Sequence, residues 1–290
     1  MRLCRFDDNR LGVVEGDNVA DVTAATKVLP PLAWPVPHGD HAIRNFAALS
    51  AEIKRILPEA PRKPLGSVKL LSPIANPSKV MAAPLNYVNH VLESQADAGI
   101  HHGTWNTKFA EGETPVGKLG LFLKANSSVV GAGEGVATIM QERRNDHEIE
   151  LTAVIGQECR NVKEEDALSV CAGFCIGLDM TVRGPEERSL RKSPDGYTVL
   201  GPWMVTSDEL ADPSNLDFWI TVNGEVRQKT NTKELTVSLR RLIAIASSWY
   251  TLYPGDVLLT GTPDGVGPVK PGDTMVAWID KIGEMTVKVR

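Results

Sequence analysis

A chain of 290 residues, 42% hydrophobic and 23% charged, has enough apolar material to bury a large core as one domain or two. Its net charge of −5 is the reverse of the basic footprint of a nucleic-acid binder, and the sequence holds neither a basic amphipathic helix nor an uninterrupted apolar run of membrane-spanning length. The opening Met1-Arg2-Leu3-Cys4-Arg5-Phe6-Asp7-Asp8 is charged too early for a secretory signal, so a soluble cytoplasmic protein is expected.

Residues 1–70 read as a small separate domain ahead of a larger one at 71–290. Leu11-Gly12-Val13-Val14-Glu15-Gly16-Asp17 has the pattern of strand, turn and strand. After a proline-rich connection, the spacing of Ile43, Phe46, Ala47 and Ile53 predicts a helix over 41–56. Pro58, Pro61 and Pro64 then punctuate a linker. Residues 97–118 are irregular, which is the habit of a lid or binding loop. Within them, Gly112-Glu113-Thr114-Pro115-Val116-Gly117-Lys118 imitates a phosphate loop but is followed by Leu119 instead of Ser or Thr. A helix is predicted over 164–172, with Asn161 and Glu164 in capping-box spacing. The four cysteines (Cys4, Cys159, Cys171, Cys175) fit no zinc spacing and read as reduced, buried thiols; Cys171 and Cys175 would share a helix face. Phe218–Val222 and Glu225–Arg227 flank Asn223-Gly224, a strong hairpin signal. A last helix is predicted over 235–250 from Leu235, Leu239, Leu242, Ile243 and Ala246.

The chemistry centres on Asp146-His147-Glu148-Ile149-Glu150-Leu151, which runs into Thr152-Ala153-Val154-Ile155-Gly156. In a strand, residues i and i+2 face the same way, so Glu148 and Glu150 project together while Ile149, Leu151, Ala153 and Ile155 line the other face. Alone, the pair reads as the wetted face of an antiparallel strand. Buried, two neighbouring anions need a cation, and a hard divalent metal ion with oxygen ligands meets that need. Three other segments converge with it. Asp179, placed by the sequence at an apolar helix-to-strand transition, is either a turn aspartate or the third oxygen donor of such a set. His90 and Glu93 share a helix face at i and i+3, where a carboxylate fixes the imidazole tautomer and raises its basicity; a surface pair without a role has the same spacing. Thr260-Gly261-Thr262-Pro263-Asp264-Gly265-Val266-Gly267 ends a strand in a glycine-rich turn able to grip a carboxylate.

Together these segments resemble the fumarylacetoacetate hydrolase family. The similarity runs from about residue 74 to the C-terminus. It also takes in Leu121-Phe122-Leu123-Lys124, Leu178-Asp179-Met180-Thr181-Val182-Arg183, Lys192-Ser193-Pro194-Asp195-Gly196-Tyr197 and Gly201-Pro202-Trp203. The resemblance implies an α+β, mostly β fold: a β-roll of antiparallel and mixed sheets with few helices, usually a homodimer, here with a small N-terminal α/β region. It implies that Glu148, Glu150 and Asp179 hold Mg²⁺, Mn²⁺ or Ca²⁺, and that His90 and Glu93 activate water. The resemblance further implies that Lys192 points into the site as a catalytic group stabilising developing oxyanion charge, and it makes Tyr87, Lys124, Arg183, Glu186 and Thr262 substrate-contacting candidates. One departure is Arg183-Gly184-Pro185-Glu186, where many members carry an aspartate after the arginine and a glutamine two residues later. Glu186 would therefore add negative charge near the ion.

The implied activity is metal-assisted hydrolysis of a carbon–carbon bond in a β-dicarbonyl acid such as an acylpyruvate. An isomerase or decarboxylase of an unsaturated 2-oxo-diacid is the alternative on the same centre. A non-catalytic metal-dependent binding protein is the alternative from another class.

Overall fold

The structure is a computed structural model that describes residues 1–101 and 113–290. Among the described residues the chain forms a twelve-stranded sheet, a four-stranded sheet and a three-stranded sheet, with few and short helices. This is the mostly β, α+β architecture expected from the sequence.

The middle of the large sheet is three strands, Ile149–Ile155, Cys171–Asp179 and Thr198–Thr206, each antiparallel to the next. Every residue in them is buried. Both faces are covered, so burial does not alternate along these strands as it does in a half-exposed strand, even where polar residues such as Glu150 and Thr152 alternate with apolar ones. Leu151, Ala153, Phe174 and Ile176 enter one core cluster. Val154, Ala172, Cys175 and Leu200 enter the other. On one side, Ile149–Ile155 pairs with Val257–Leu259, which runs parallel to Val80–Ala82, and Phe122–Lys124 follows. On the other side the N-terminal strand Arg2–Phe6 joins Thr198–Thr206 through Leu3 opposite Met204. Arg10–Glu15 and Asn18–Asp21 continue outward as the predicted strand, turn and strand. Leu3, Ile43, Leu49 and Ile53 share a core cluster with Val154 and Leu200.

The helices differ from expectation in informative ways. The stretch predicted over 41–56 is two helices, His41–Arg44 and Phe46–Ile56, broken at Asn45 (φ −106°, ψ 24°). Asp40 starts the first; its carboxylate accepts from the N–H groups of Ala42 and Ile43 and also from those of Ala75 and Asn76. The stretch predicted over 164–172 is a 3₁₀ segment, Glu164–Val170, and Cys171 already belongs to a strand. Cys171 and Cys175 therefore do not share a helix face; they fall in different core clusters. The last helix is Leu239–Trp249, capped by the Ser238 hydroxyl, which accepts from Arg241 N–H; Leu235 lies outside it. The hairpin forms as predicted, with Asn223 and Gly224 at φ 52° and 84°, a pair of left-handed residues that a two-residue turn requires.

Within 97–118, the short helices Ala98–His101 and Pro115–Leu119 are described; Thr114 caps the second by accepting from Gly117 N–H. The phosphate-loop imitation is thus largely a capped helix. Residues 102–112 of this irregular stretch, and the His101 side chain, lie outside the described residues. Among the described residues no helix is long and apolar enough to cross a membrane.

Candidate active site

Strand register assembles the acidic centre. Ile149 stands opposite Leu178 and Glu150 opposite Gly177, so Glu148 comes level with Asp179, whose N–H donates to the Glu148 carbonyl at 2.8 Å. One oxygen from each of Glu148, Glu150 and Asp179 lies within 4.8 Å of the others, and all three residues are buried. Opposed oxygens on a single hard ion are about 4–5 Å apart, so the spacing suits one divalent cation.

Cations surround two of the three carboxylates. Lys192 Nζ donates to Glu148 Oε2 and Asp179 Oδ2, each at 2.7 Å, and to the Thr181 hydroxyl at 2.6 Å. Arg183 donates through Nη2 to Glu148 Oε1 and through Nε to Asp146 Oδ2, each at 2.8 Å. Lys124 Nζ donates to Asp179 Oδ1 and to the Tyr197 carbonyl. Burial opposes ionisation of Glu148, but Lys192 and Arg183 outweigh it and hold its carboxyl well below the usual range. Burial also lowers the Lys124 pKa against the pull of Asp179.

Glu150 is different. Its partner is the Gly261 N–H at 2.6 Å, and among the described residues it has no lysine or arginine within ion-pair distance. Burial, and then the Asp179 and Glu148 charges, push its carboxyl well above the usual range. A buried carboxylate among two others, short of positive charge, is the donor set that a hard cation completes. Gly261, at φ +100°, brings its N–H there; a Cβ at that position would sit 2.6 Å from Asn86 Cβ.

The predicted dyad sits on the helix Val88–Ala96. His90 Nδ1 lies 2.8 Å from Glu93 Oε2, and Glu93 Oε1 accepts from Gly265 N–H at 2.9 Å. That hydrogen bond assigns the proton to Nδ1 and leaves Nε2 as the basic nitrogen. His90 is buried and lines the same cavity as the three carboxylates, Arg183, Lys192 and Thr262.

Other candidates fall elsewhere. Lys124 sits behind the lining and braces Asp179. Tyr87 is also off the lining; its ring meets Phe218 edge-on, and among the described residues its buried hydroxyl has no hydrogen-bond partner. Burial and the Glu150 charge raise the Tyr87 pKa well above normal. Glu186 lies outside the cavity and is paired with Arg143 at 2.8 and 3.1 Å, which lowers its pKa; its charge is neutralised at a distance from the acidic cluster. Thr262 donates its hydroxyl to the Ile149 carbonyl at 2.9 Å and accepts from Gln228 Nε2 at 2.8 Å, so its one proton is already engaged. Gln228 carries no signal in the sequence. From a hairpin strand its amide oxygen also takes the Ile149 N–H at 3.2 Å, tying the hairpin to the carboxylate strand. Arg188 and Arg191, which also line the cavity, carry no motif that would have singled them out.

Comparison with known proteins places this geometry in context. Residues 79–290 match the family model described as fumarylacetoacetate (FAA) hydrolase, C-terminal. A maleylpyruvate hydrolase of Aquipseudomonas alcaligenes is 55% identical over 290 residues, covering 100% of this chain and 99% of that protein. A mitochondrial oxaloacetate tautomerase of Rattus norvegicus is 34% identical over 258 residues, covering 85% of this chain and 77% of that protein. The crystal structure of maleylpyruvate hydrolase from Sphingobium sp. SYK-6, in complex with manganese(II) and pyruvate, superposes with a TM-score of 0.82 at 40% identity, covering 100% of this chain and 98% of that one.

Proposed function

The chain belongs to the fumarylacetoacetate hydrolase family, and we propose that it is a divalent-metal-dependent hydrolase cleaving a carbon–carbon bond in an acylpyruvate-type β-dicarbonyl acid. One observation carries this reading: three buried carboxylates, one of them short of positive charge, share a cavity with a histidine whose tautomer is fixed by a carboxylate. The relative that acts on maleylpyruvate and the neighbour that holds manganese and pyruvate support it.

Glu148, Glu150 and Asp179 would hold the ion, Mg²⁺, Mn²⁺ or Ca²⁺, and when bound it supplies Lewis acidity to the keto-acid oxygens. His90 Nε2 takes a proton from water, with Glu93 stabilising the imidazolium through Nδ1. The water oxygen bonds to the acyl carbonyl carbon. The bond between that carbon and the pyruvate methylene then breaks, and its electron pair stays on the pyruvate fragment, which recovers the proton from His90. A carboxylic acid and pyruvate result. The three donors of Lys192 are committed to Glu148, Asp179 and Thr181, so it acts on developing oxyanion charge through its field.

A tautomerase or isomerase of a related 2-oxo-diacid is the second reading, favoured by the tautomerase relative and served by the same proton relay. Loss of enol absorbance from an acylpyruvate, with two acid products and dependence on Mg²⁺ or Mn²⁺, tests the hydrolase; a single isomeric product, or CO₂ release, overturns it. A homodimer and a cytoplasmic location complete the proposal. Light scattering checks the dimer, and cell fractionation checks the location.

A further inference from the structure

The cavity holding the three carboxylates is lined by four cations, Arg183, Arg188, Arg191 and Lys192. Two are committed to the acidic centre: Arg183 to Glu148 and Asp146, and Lys192 to Glu148 and Asp179. Arg191 is not. It is only 8% exposed, yet its partners are main-chain carbonyls, Nε donating to Glu186 O at 2.8 Å and Nη1 to Val182 O at 3.4 Å. Among the described residues it has no carboxylate partner, and its Nη2 makes no hydrogen bond. A largely buried guanidinium that lines a cavity and keeps a donor to spare can receive an anion.

Position reinforces this. Arg188, Arg191 and Lys192 stand at i, i+3 and i+4 on and just after the helical turn Arg188–Arg191, so they share one side of it. Lys192 reaches the acidic centre from that side. Arg188 is seated on the Phe122 ring, 5.3 Å from its centroid, and Lys192 Nζ lies 5.6 Å from the same ring. The turn therefore presents two guanidinium groups along the cavity next to the place where a keto acid would meet the metal ion. A substrate with a single carboxylate, spent on the ion, would leave Arg191 with no carboxylate in direct contact, only the more distant charges of Glu148, Glu186 and Glu187.

We propose that Arg191, with Arg188 beside it, binds the distal carboxylate of a dicarboxylic acylpyruvate, selecting acyl chains that end in an acid over neutral ones. This assignment rests on the hydrolase reading above. It is tested on the Mn²⁺-loaded protein by the ratio of kcat/KM for fumarylpyruvate or maleylpyruvate to kcat/KM for acetylpyruvate. In Arg191→Met the ratio should fall at least about tenfold, chiefly through KM, because a desolvated charge pair is lost. Arg191→Lys should recover part of the ratio, since it keeps the charge without the planar fork. A ratio within about twofold of wild type overturns the proposal, that being the scale of a surface charge change. Should Arg191→Met fail to fold, Arg188→Gln decides by the same criterion. If the wild type hydrolyses none of these substrates, the hydrolase reading fails by itself. Calorimetric titration with maleate then decides the arginine assignment: binding weakened at least about tenfold in the variant supports it, and equal affinity overturns it.

Discussion

Glu150→Gln keeps the shape of a buried side chain and removes its charge. Glu150 is 1% exposed, accepts from Gly261 N–H, and shares its cluster with Glu148 and Asp179. In metal-free protein, burial and then those two anions raise its carboxyl, so at neutral pH the folded state carries a cost that the unfolded chain does not. Glutamine would still accept from Gly261 and would offer amide hydrogens to the neighbouring carboxylates. Leaving a buried polar group under-compensated costs about 1–3 kcal/mol, and more for a charge. Glu150→Gln should therefore be more stable than wild type in EDTA by about 1–3 kcal/mol, with Tm rising by roughly 2–4 °C for each kcal/mol. The pH dependence follows from the direction of the shift. The folded pKa lies above the unfolded value of about 4.3, so the cost is absent well below that pH and develops as pH rises through the folded value. The two proteins should converge in acid. Manganese reverses the order: an ion at one hundred times its Kd adds about 2.7 kcal/mol to a folded state that binds it, and the variant forfeits most of this. Scanning calorimetry with EDTA and with Mn²⁺, paired with ion titration, reads both effects. A variant that melts below wild type in EDTA, or takes up Mn²⁺ as tightly, refutes the reasoning.

His90→Ala should lower kcat by about 10²–10⁴-fold while Mn²⁺ affinity is retained, and Glu93→Gln should act in the same direction through the Nδ1 hydrogen bond. Steady-state kinetics beside ion titration check this; unchanged turnover would favour a binding protein. Asp40→Ala strips acceptors from four N–H groups in two segments and should cost about 2–4 kcal/mol, read as a lower urea midpoint. No shift in that midpoint would show that water replaces the carboxylate. A Cβ at Gly184 would fall 1.4 Å from Arg143 Nη2, so Gly184→Ala must displace that guanidinium from Glu186. The expected loss is at most about 1 kcal/mol and should nearly vanish in a Glu186→Gln background. Full additivity in the double-mutant cycle would sink the idea.

The sequence displayed the parts of this fold that depend on local chemistry. Asn223-Gly224 demands a tight turn whatever surrounds it, and the hairpin is there. Whether Glu148 and Glu150 face water could not be read locally, because the alternation of Ile149–Ile155 is the same in either case. Burial of that strand on both faces comes from Cys171–Asp179 and Val257–Leu259 pairing on either side and from the two core clusters. The same neighbours decide Cys171 and Cys175, whose spacing suits a helix in isolation and whose strand is set by pairing with Thr198–Thr206. Gln228 was invisible for a further reason: a polar residue on a hairpin strand usually faces solvent. Only the docking of that hairpin puts its amide between Thr262 and Ile149. Arg188 and Arg191 were similarly mute, since arginines in a short charged segment have no signature until a cavity forms beside them.

The departure at Gly184-Pro185-Glu186 takes on a different meaning once its contacts are followed. Glu186 does not charge the acidic centre; its carboxylate is held outward by Arg143, whose Nε donates to the Arg183 carbonyl at 2.7 Å. The absence of a side chain at Gly184 leaves the space that Arg143 fills. Facing the other way, the Glu186 carbonyl accepts from Arg191 Nε and orients that guanidinium. Residues 183–192 thus form one polar assembly with two outputs: Arg183 and Lys192 pair with Glu148 and Asp179 but not with Glu150, and Arg191 is left for the proposed substrate carboxylate. A glutamine at 186 would be a weaker partner for Arg143, the anchor that fixes this backbone, because a neutral amide accepts less strongly from a guanidinium than a carboxylate does. On the arginine assignment proposed above, glutamate in place of glutamine changes how the arginine turn is braced, so its effect is expected on substrate choice and not on the ion.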